Sequence, residues 1–553
     1  MVKKMKAFDK DLKYEDVMFL TGNEKARDTI QIISNNALET YLPQYLYYYN
    51  ENIKVSFQQP DQFLDGKVVE KKVFFILNIC EMAPFLYYNL FDLEQTELAK
   101  EIEKLKNYIN TLIDKAIEKS ELVIVAEFEF QSIGRQPLGI TDINVVLGQL
   151  NQYILEKSIS CGTVYVLPLN NYVNEYGRHT FYDLRKKYLL ASPYSNFGYN
   201  CIAYHLLYEI YLIYKKEKKC LVVDCDNVLW KGSLGEEGIE GIQLSNQFVG
   251  RAYLDFQREI IKLYYQGMIV CLCSKNDLED VKNVLDNHPD MLLRNKYITA
   301  YKVNYRNKAD NIRELEVELN ISVDDMVFID DSSYEIALVS HELPTISTIC
   351  LDAGKPYLYA DILRNSNFFY KKKITETDRV RNCDYKHSMK RQKMFADATN
   401  LEGFHKALQT RIQIEKMDEF TLTRVLEISK RTNQFNLADT RYTEQYLRGL
   451  LNNEKKEVLV LRAIDILGDM GIVAAAELSY GEETLTISAM FLSCRVFGRG
   501  FEMQLLEEIE KRALSQGCYT IYGVYKKTSK NHKFKDFYNQ HNIVKISKEK
   551  IEE

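Results

Sequence analysis

Asp224 and Asp226 stand two residues apart at the end of a short apolar, β-branched run, within Lys219-Cys-Leu-Val-Val-Asp-Cys-Asp-Asn-Val-Leu-Trp-Lys-Gly232. A parallel strand in an α/β domain points its C-terminal end at the ligand, so acids placed there face a substrate. Magnesium takes hard oxygen ligands, commonly one or two carboxylates plus phosphate and water. One aspartate of such a pair can attack phosphorus while its neighbour moves the proton. Asp-x-Asp taken alone equally describes a turn after a buried strand, because Asp and Asn are ordinary turn residues.

Three further strand ends carry groups suited to the same chemistry. Met268 to Cys273 reads as a buried strand that delivers Ser274, and Tyr297 to Val303 as a strand followed by Asn307-Lys308 and a helix over Ala309 to Glu318. Met326 to Ile329 closes on Asp330-Asp331-Ser332-Ser333. Helices expected over Gln247 to Tyr265 and Leu278 to Asp286, the latter with Asp277 as N-cap, and a last strand over Thr345 to Leu351 complete an α/β unit.

The ordered set of Asp224 with Asp226, Ser274, Lys308, and Asp330 with Asp331 resembles the haloacid-dehalogenase-like phosphatase superfamily, in the form that lacks a large cap domain. The resemblance implies a Rossmann-like core with Asp224 as the nucleophile that becomes an aspartyl-phosphate. It implies Asp226 as general acid and then base. Ser274 and Lys308 would hold phosphoryl oxygens, and such charge stabilisation dominates these transition states. It also implies a Mg2+ site made by Asp330, the Asp224 carboxylate and the Asp226 backbone carbonyl, with Asp331 as adjacent support.

A narrower likeness covers most of the chain. Asp-x-Asp-Asn-Val-Leu-Trp-Lys-Gly followed by Gly235-Glu-Glu-Gly238 resembles the FkbH-like proteins of polyketide pathways. Tyr182-Asp183, Ser192-Pro-Tyr-Ser195, Thr432-Asn-Gln-Phe-Asn-Leu437, Arg441-Tyr-Thr443, Ser493-Cys-Arg-Val496, Gly498-Arg499 and Lys530-Asn531 match that family too. The resemblance implies conversion of 1,3-bisphosphoglycerate to a glyceryl thioester on a phosphopantetheinylated acyl carrier protein. That takes acyl transfer to sulfur and removal of the remaining phosphate. Val228 stands where Thr is usual, and Ser332-Ser333 where Asn-Pro is often found.

Acyl transfer needs a thiol, either the carrier's own arm or an enzyme cysteine as relay. Cys225 sits between the two aspartates, although strand alternation allows it to face the core instead. Cys494 lies beside Arg495 near a helix start, and both features lower a thiol pKa. Cys271 and Cys273 lie inside an apolar strand and read as core. The stretch Arg495-x-x-Gly498-Arg499-Gly500, after strands over Val458 to Ile464, Gly471 to Leu478 and Thr484 to Met490 and before a helix over Phe501 to Ser515, resembles the pyrophosphate loop of the acyl-CoA N-acetyltransferase fold. Such a loop could hold a pantetheine arm.

The bulk numbers set the frame. A chain of 553 residues with 46% hydrophobic content should hold two to four domains. The sequence divides into an α/β segment 1–215, the phosphatase-like unit 216–368, a charged linker 369–395 and an α+β acetyltransferase-like domain 396–553. In the first segment Thr21-Gly-Asn23, Asn144, Asn151 and His179 resemble a serine-esterase-like hydrolase layout. No Gly-Asp-Ser nucleophile motif accompanies them, so a non-catalytic docking domain is expected. A net charge of −6 argues against a nucleic-acid binder. Eleven scattered cysteines with no metal-type pair, a charged N-terminus and no long apolar run lead to the expectation of a cytoplasmic protein with free thiols and no membrane contact. The competing classes are a plain small-molecule phosphatase with docking domains and an acyl-CoA-dependent acyltransferase with a vestigial phosphatase site. A non-enzymatic assembly factor is disfavoured by the intact acidic and cationic set.

Overall fold

Three sheets organise the chain in the computed structural model, which describes residues 6–547 apart from 24, 25, 27, 67, 68, 84–94, 130–142, 398–400, 433, 494, 495, 529 and 542. They fall into two units, Met1–Lys216 and Glu217–Glu553. Among the described residues no helix is long and apolar enough to cross a membrane.

The first unit holds β1 (Asp28–Ile33), β2 (Ile53–Gln58), β3 (Lys72–Phe75), β4 (Leu122–Ala126) and β5 (Val164–Leu167). All pair in parallel, in the order β2-β1-β3-β4-β5. Helices Gln95–Ile117, Ile143–Ser160 and Asn196–Tyr214 flank it. β4 is buried along its whole length, as a strand covered on both faces must be. Of the polar residues read as hydrolase-like, Asn151 spends its side-chain amide on the backbone N–H and carbonyl of Phe128, at 2.7 and 2.8 Å. His179 is exposed.

The second unit begins with β6 (Cys220–Val223), β7 (Ile269–Ser274), β8 (Ala300–Val303), β9 (Met326–Asp330) and β10 (Ser347–Cys350). The order is β10-β9-β6-β7-β8, again all parallel, so β6 is central between β7 and β9. Alternation divides β6 between two cores. Leu221, Val223 and Cys225 join the cluster around Trp230, Tyr253 and Phe256, while Cys220 and Val222 join Cys271, Cys273, Ile312 and Phe328 on the other face. Val228 is buried in the Trp230 cluster, where a β-branched side chain fits without a hydroxyl partner.

The segment read as a charged linker contains a 22-residue helix, Glu376–Asp397. Several of its polar side chains are engaged. Asp378 takes the Lys371 ammonium at 2.9 Å, and the Asn382 amide donates to the Tyr264 carbonyl at 2.7 Å. Arg391 makes a two-pronged pair with Asp465, at 2.6 and 2.8 Å. The helix thus fastens the α/β sheet to the sheet that follows it.

That last sheet runs β11 (Arg411–Lys416), β12 (Lys456–Asp465), β13 (Gly468–Tyr480), β14 (Thr484–Leu492), β15 (Thr520–Tyr525) and β16 (Val544–Ser547) in sequence order. The first four are antiparallel and the last two join in parallel. β14 and β15 pair only from Thr484↔Thr520 to Ile487↔Gly523, while β14 continues to Leu492.

Candidate active site

The parallel register brings the chemistry together. Val223 is level with Leu272 on one side and Ile329 on the other, so Asp224, Ser274 and Asp330 emerge from three adjacent strand ends. The Asp224 amide donates to the Ile329 carbonyl at 3.0 Å, carrying the β6–β9 ladder one residue further. Asn227 then adopts a left-handed backbone (φ 53) and Gly232 another (φ 105), which fold the loop back on itself. Asn tolerates this conformation, and the Asn227 side chain accepts the Gly232 amide at 3.1 Å.

Lys308 begins helix Lys308–Leu319, whose N-cap Asn307 accepts the Ala309 amide at 2.8 Å. From there its ammonium lies 3.0 Å from Asp224 Oδ1 and 2.6 Å from Asp330 Oδ2. All three side chains are buried. Asp330 Oδ1 accepts the Ser332 amide at 2.9 Å, and Ser332 in turn caps helix Ser333–Glu342. The Ser-Ser pair in place of Asn-Pro therefore supplies a helix cap.

Asp224, Asp330 and half-buried Asp331 each offer a carboxylate oxygen within 4.8 Å of the others. Asp224 Oδ1 is buried and, among the described residues, has no partner besides its ion pair with the Lys308 ammonium. Three carboxylates against one ammonium leave two negative charges in a buried place, and one divalent cation balances them. The pKa shifts record the same imbalance. Burial, then the Asp224 charge, pushes Asp330 up to about 6 despite Lys308. Burial followed by Asp224 raises Asp331 as well. Burial opposes the Lys308 charge, but Asp224 and Asp330 outweigh it and raise its pKa. The donor set, three carboxylates against one ammonium, fits a hard cation.

Asp226 is oriented by neighbours that spacing alone does not reveal. Its Oδ1 accepts the Trp230 indole N–H at 3.0 Å and the Leu234 amide at 3.2 Å. Asn276 hydrogen-bonds Asp226 as well and donates to Ser274 Oγ at 3.1 Å. Burial still wins, and the Asp226 pKa is raised, which suits a group that must carry a proton. Trp230 and Asn276 are the site residues the sequence reading missed. Their signals were a lone tryptophan four residues after Asp226 and an amide two residues after Ser274.

The thiols fare differently. Cys225 has no exposed surface and belongs to the Trp230 core. Burial first, then Asp224, pushes its thiol pKa far up, which is the opposite of what a relay nucleophile requires. The side chain that alternation left undecided faces the core, and the structure offers no support for Cys225 as a relay. Cys271 and Cys273 are core residues as the apolar strand implied. Cys494 and Arg495 lie outside the described residues. Gly498 (φ 71) and Gly500 (φ 76) form the left-handed turn into helix Phe501–Ser515. Arg499 is buried, with its guanidinium 5.8 Å from the Phe404 ring centre, rather than displayed on the loop. Burial and then Arg391 lower its pKa to about 10.

Residues 219–348 match the family model described as NLI interacting factor-like phosphatase. A solved structure of similar fold is the N-terminal part of the protein BF1531 from Bacteroides fragilis, containing a phosphatase domain complexed with Mg. It is 22% identical, covers 62% of this chain and 94% of that chain, and has a TM-score of 0.51. The ribosomal-protein-S18-alanine N-acetyltransferase from Escherichia coli aligns with 24% of this chain and 76% of its own, at 14% identity and a TM-score of 0.20. The ribosomal-protein-alanine N-acetyltransferase from Brucella melitensis biovar Abortus 2308 aligns with 24% of this chain and 93% of its own, at 12% identity and a TM-score of 0.20. No curated protein matches the chain. Sheet, site and family match together define the middle of the chain as a phosphatase domain of the haloacid-dehalogenase type.

Proposed function

We propose that this chain is a magnesium-dependent enzyme that forms a glyceryl thioester on an acyl carrier protein from 1,3-bisphosphoglycerate and removes the remaining phosphate. One observation carries the phosphatase half: Asp224, Lys308, Asp330 and Asp331 crowd together with two uncompensated negative charges. Asp224, Asp330 and Asp331 would hold the magnesium ion, which would supply positive charge against the transferring phosphoryl oxygens. Asp224 attacks the phosphorus of the 3-phosphate and forms an aspartyl-phosphate. Asp226 gives its proton to the departing glyceryl oxygen, then takes one from the water that releases inorganic phosphate. Ser274 and Lys308 hold the phosphoryl oxygens.

The acyl half rests on the likeness to FkbH-like proteins. The carrier's pantetheine thiolate attacks the C1 carbonyl of the mixed anhydride and the C1 phosphate leaves. The buried Cys225 favours this direct route over an enzyme-bound acyl group. Incubation with magnesium, 1,3-bisphosphoglycerate and holo-carrier should add a glyceryl group to the carrier, read as intact mass. With Asp224→Asn the adduct should retain its phosphate. Phosphate release with an unmodified carrier would instead identify a small-molecule phosphatase.

A further inference from the structure

A cleft of about 1010 Å³ opens in the first unit, far in sequence from the phosphatase residues. The strand order β2-β1-β3-β4-β5 reverses between β1 and β3, and open α/β sheets take ligands beyond the strand ends at such a reversal. Asn35 and Asn36 follow β1, Gln59 and Pro60 follow β2, and Asn78 follows β3, and all of them line the cleft. Its rim is braced. Asn35 donates to the Asn78 carbonyl at 2.9 Å and accepts the Asn78 amide at 2.7 Å, while the Asn36 amide donates to Ser34 Oγ at 3.0 Å.

One group in this frame is left over. Asn36 is only 4% exposed, and its side-chain Nδ2 has no hydrogen-bond partner among the described residues. Leaving a buried donor without a partner is costly, so a ligand acceptor is the natural complement. The charges indicate what kind of ligand. Among the described residues that line it, Asp61, Glu81 and Glu101 against Lys104 and Lys187 leave one negative charge, and Lys104 is paired with Glu101. No glycine-rich turn follows β1, where Ser34-Asn35-Asn36-Ala37 stand. A phosphate would find neither excess cations nor a nest of amides. Amides and carboxylates that both span vicinal hydroxyls, with Tyr108 and the 83%-exposed Tyr188 as flat faces, suit a neutral polyol. The Tyr108 hydroxyl is fixed by Asp61 at 2.6 Å, which holds its ring in place.

We propose that this cleft is a second ligand site that binds a sugar unit, free or at the end of a glycan, with Asn36 Nδ2 donating to a sugar oxygen. The inference is independent of the phosphatase reading. Saturation-transfer NMR on the full chain with glucose, galactose and N-acetylglucosamine, alone and as oligosaccharides, tests it. At least one sugar should bind saturably, about tenfold more weakly in Asn36→Ala, the loss expected for one neutral hydrogen bond. Tyr188→Ala should also weaken binding while leaving the thermal midpoint unchanged, so a misfolded Asn36 variant does not spoil the test. A stronger signal from the oligosaccharides points to a glycan end, an equal one to the free sugar, and both uphold the site. Silence from every sugar, equal binding in both variants, or uptake of inorganic phosphate or pantetheine in their place overturns it.

Discussion

The indole N–H of Trp230 points at Asp226 Oδ1, 3.0 Å away and inside the core. The Leu234 amide shares that oxygen and Asn276 bonds the same carboxylate, so three donors orient Asp226 for moving a proton. Trp230 is the chain's single tryptophan, so tryptophan fluorescence reports on the surroundings of this one indole. Trp230→Phe keeps most of the packing and removes the bond. A hydrogen bond to a charged group contributes about 1.5–3 kcal/mol, so phosphate release should slow by roughly tenfold or more. Steady-state fluorescence of the wild type should respond saturably to magnesium. A flat response with full activity in Trp230→Phe would mean that the indole bond does not orient the proton carrier.

The surplus of buried negative charge predicts opposite effects from two neighbouring substitutions. Lys308→Met leaves Asp224 and Asp330 without their shared counter-charge, and breaking a buried pair costs about 3–5 kcal/mol. Asp330→Asn removes one of the excess charges, so the metal-free protein should melt higher than wild type. Magnesium should stabilise wild type and Lys308→Met and do little for Asp330→Asn. Thermal melts with and without magnesium decide it. Equal melting of all three proteins would contradict the charge count.

Acidification should weaken magnesium binding through the same carboxylate. Burial, then Asp224, holds Asp330 up to about 6 in the folded state, above its ordinary 3.8. Its metal-free stabilising contribution is therefore present below pH 4 and lost as pH rises through about 6. A cation needs the deprotonated form, so its apparent affinity should fall as pH drops from 7 to 5. Calorimetric titrations across that range, with Asp330→Asn as the reference, isolate the contribution. An affinity independent of pH would remove Asp330 from the ligand set.

Much of this site was legible because β6, β7 and β9 are buried on both faces and read as unbroken apolar runs ending in polar residues. The helix over Phe501–Ser515 and the Asp277 cap were equally plain. β1 and β2 escaped notice: β1 carries the polar Gln31 inside the sheet, and β2 is an edge strand with mostly half-buried residues. Composition also misled over residues 376–397. High charge suggests solvent, yet Asp378 pairs with Lys371, Arg391 with Asp465, and the uncharged Asn382 bonds Tyr264, all partners outside the helix. Tertiary pairing of that kind leaves no local pattern. Trp230 and Asn276 were hidden for the same reason, since an indole or an amide shows no role until its partner's direction is known.

The helix Glu376–Asp397 can be tested as a fastening by two changes at its ends. Gly267 has φ 86, and a Cβ there would come within 2.5 Å of the Asp378 carbonyl oxygen and 3.0 Å of its carbon. Backbone cannot give way as a flexible side chain can, so Gly267→Ala should push the start of the helix off the α/β sheet. At the other end Arg391→Met strands Asp465 among buried groups, at a cost of about 3–5 kcal/mol. Either variant should raise protease cleavage within 369–397, and Arg391→Met should also lower the melting midpoint by several degrees. Phosphate release per folded molecule should persist in both, because neither residue belongs to the site. Cleavage at the wild-type rate in both variants would return this segment to a plain connector.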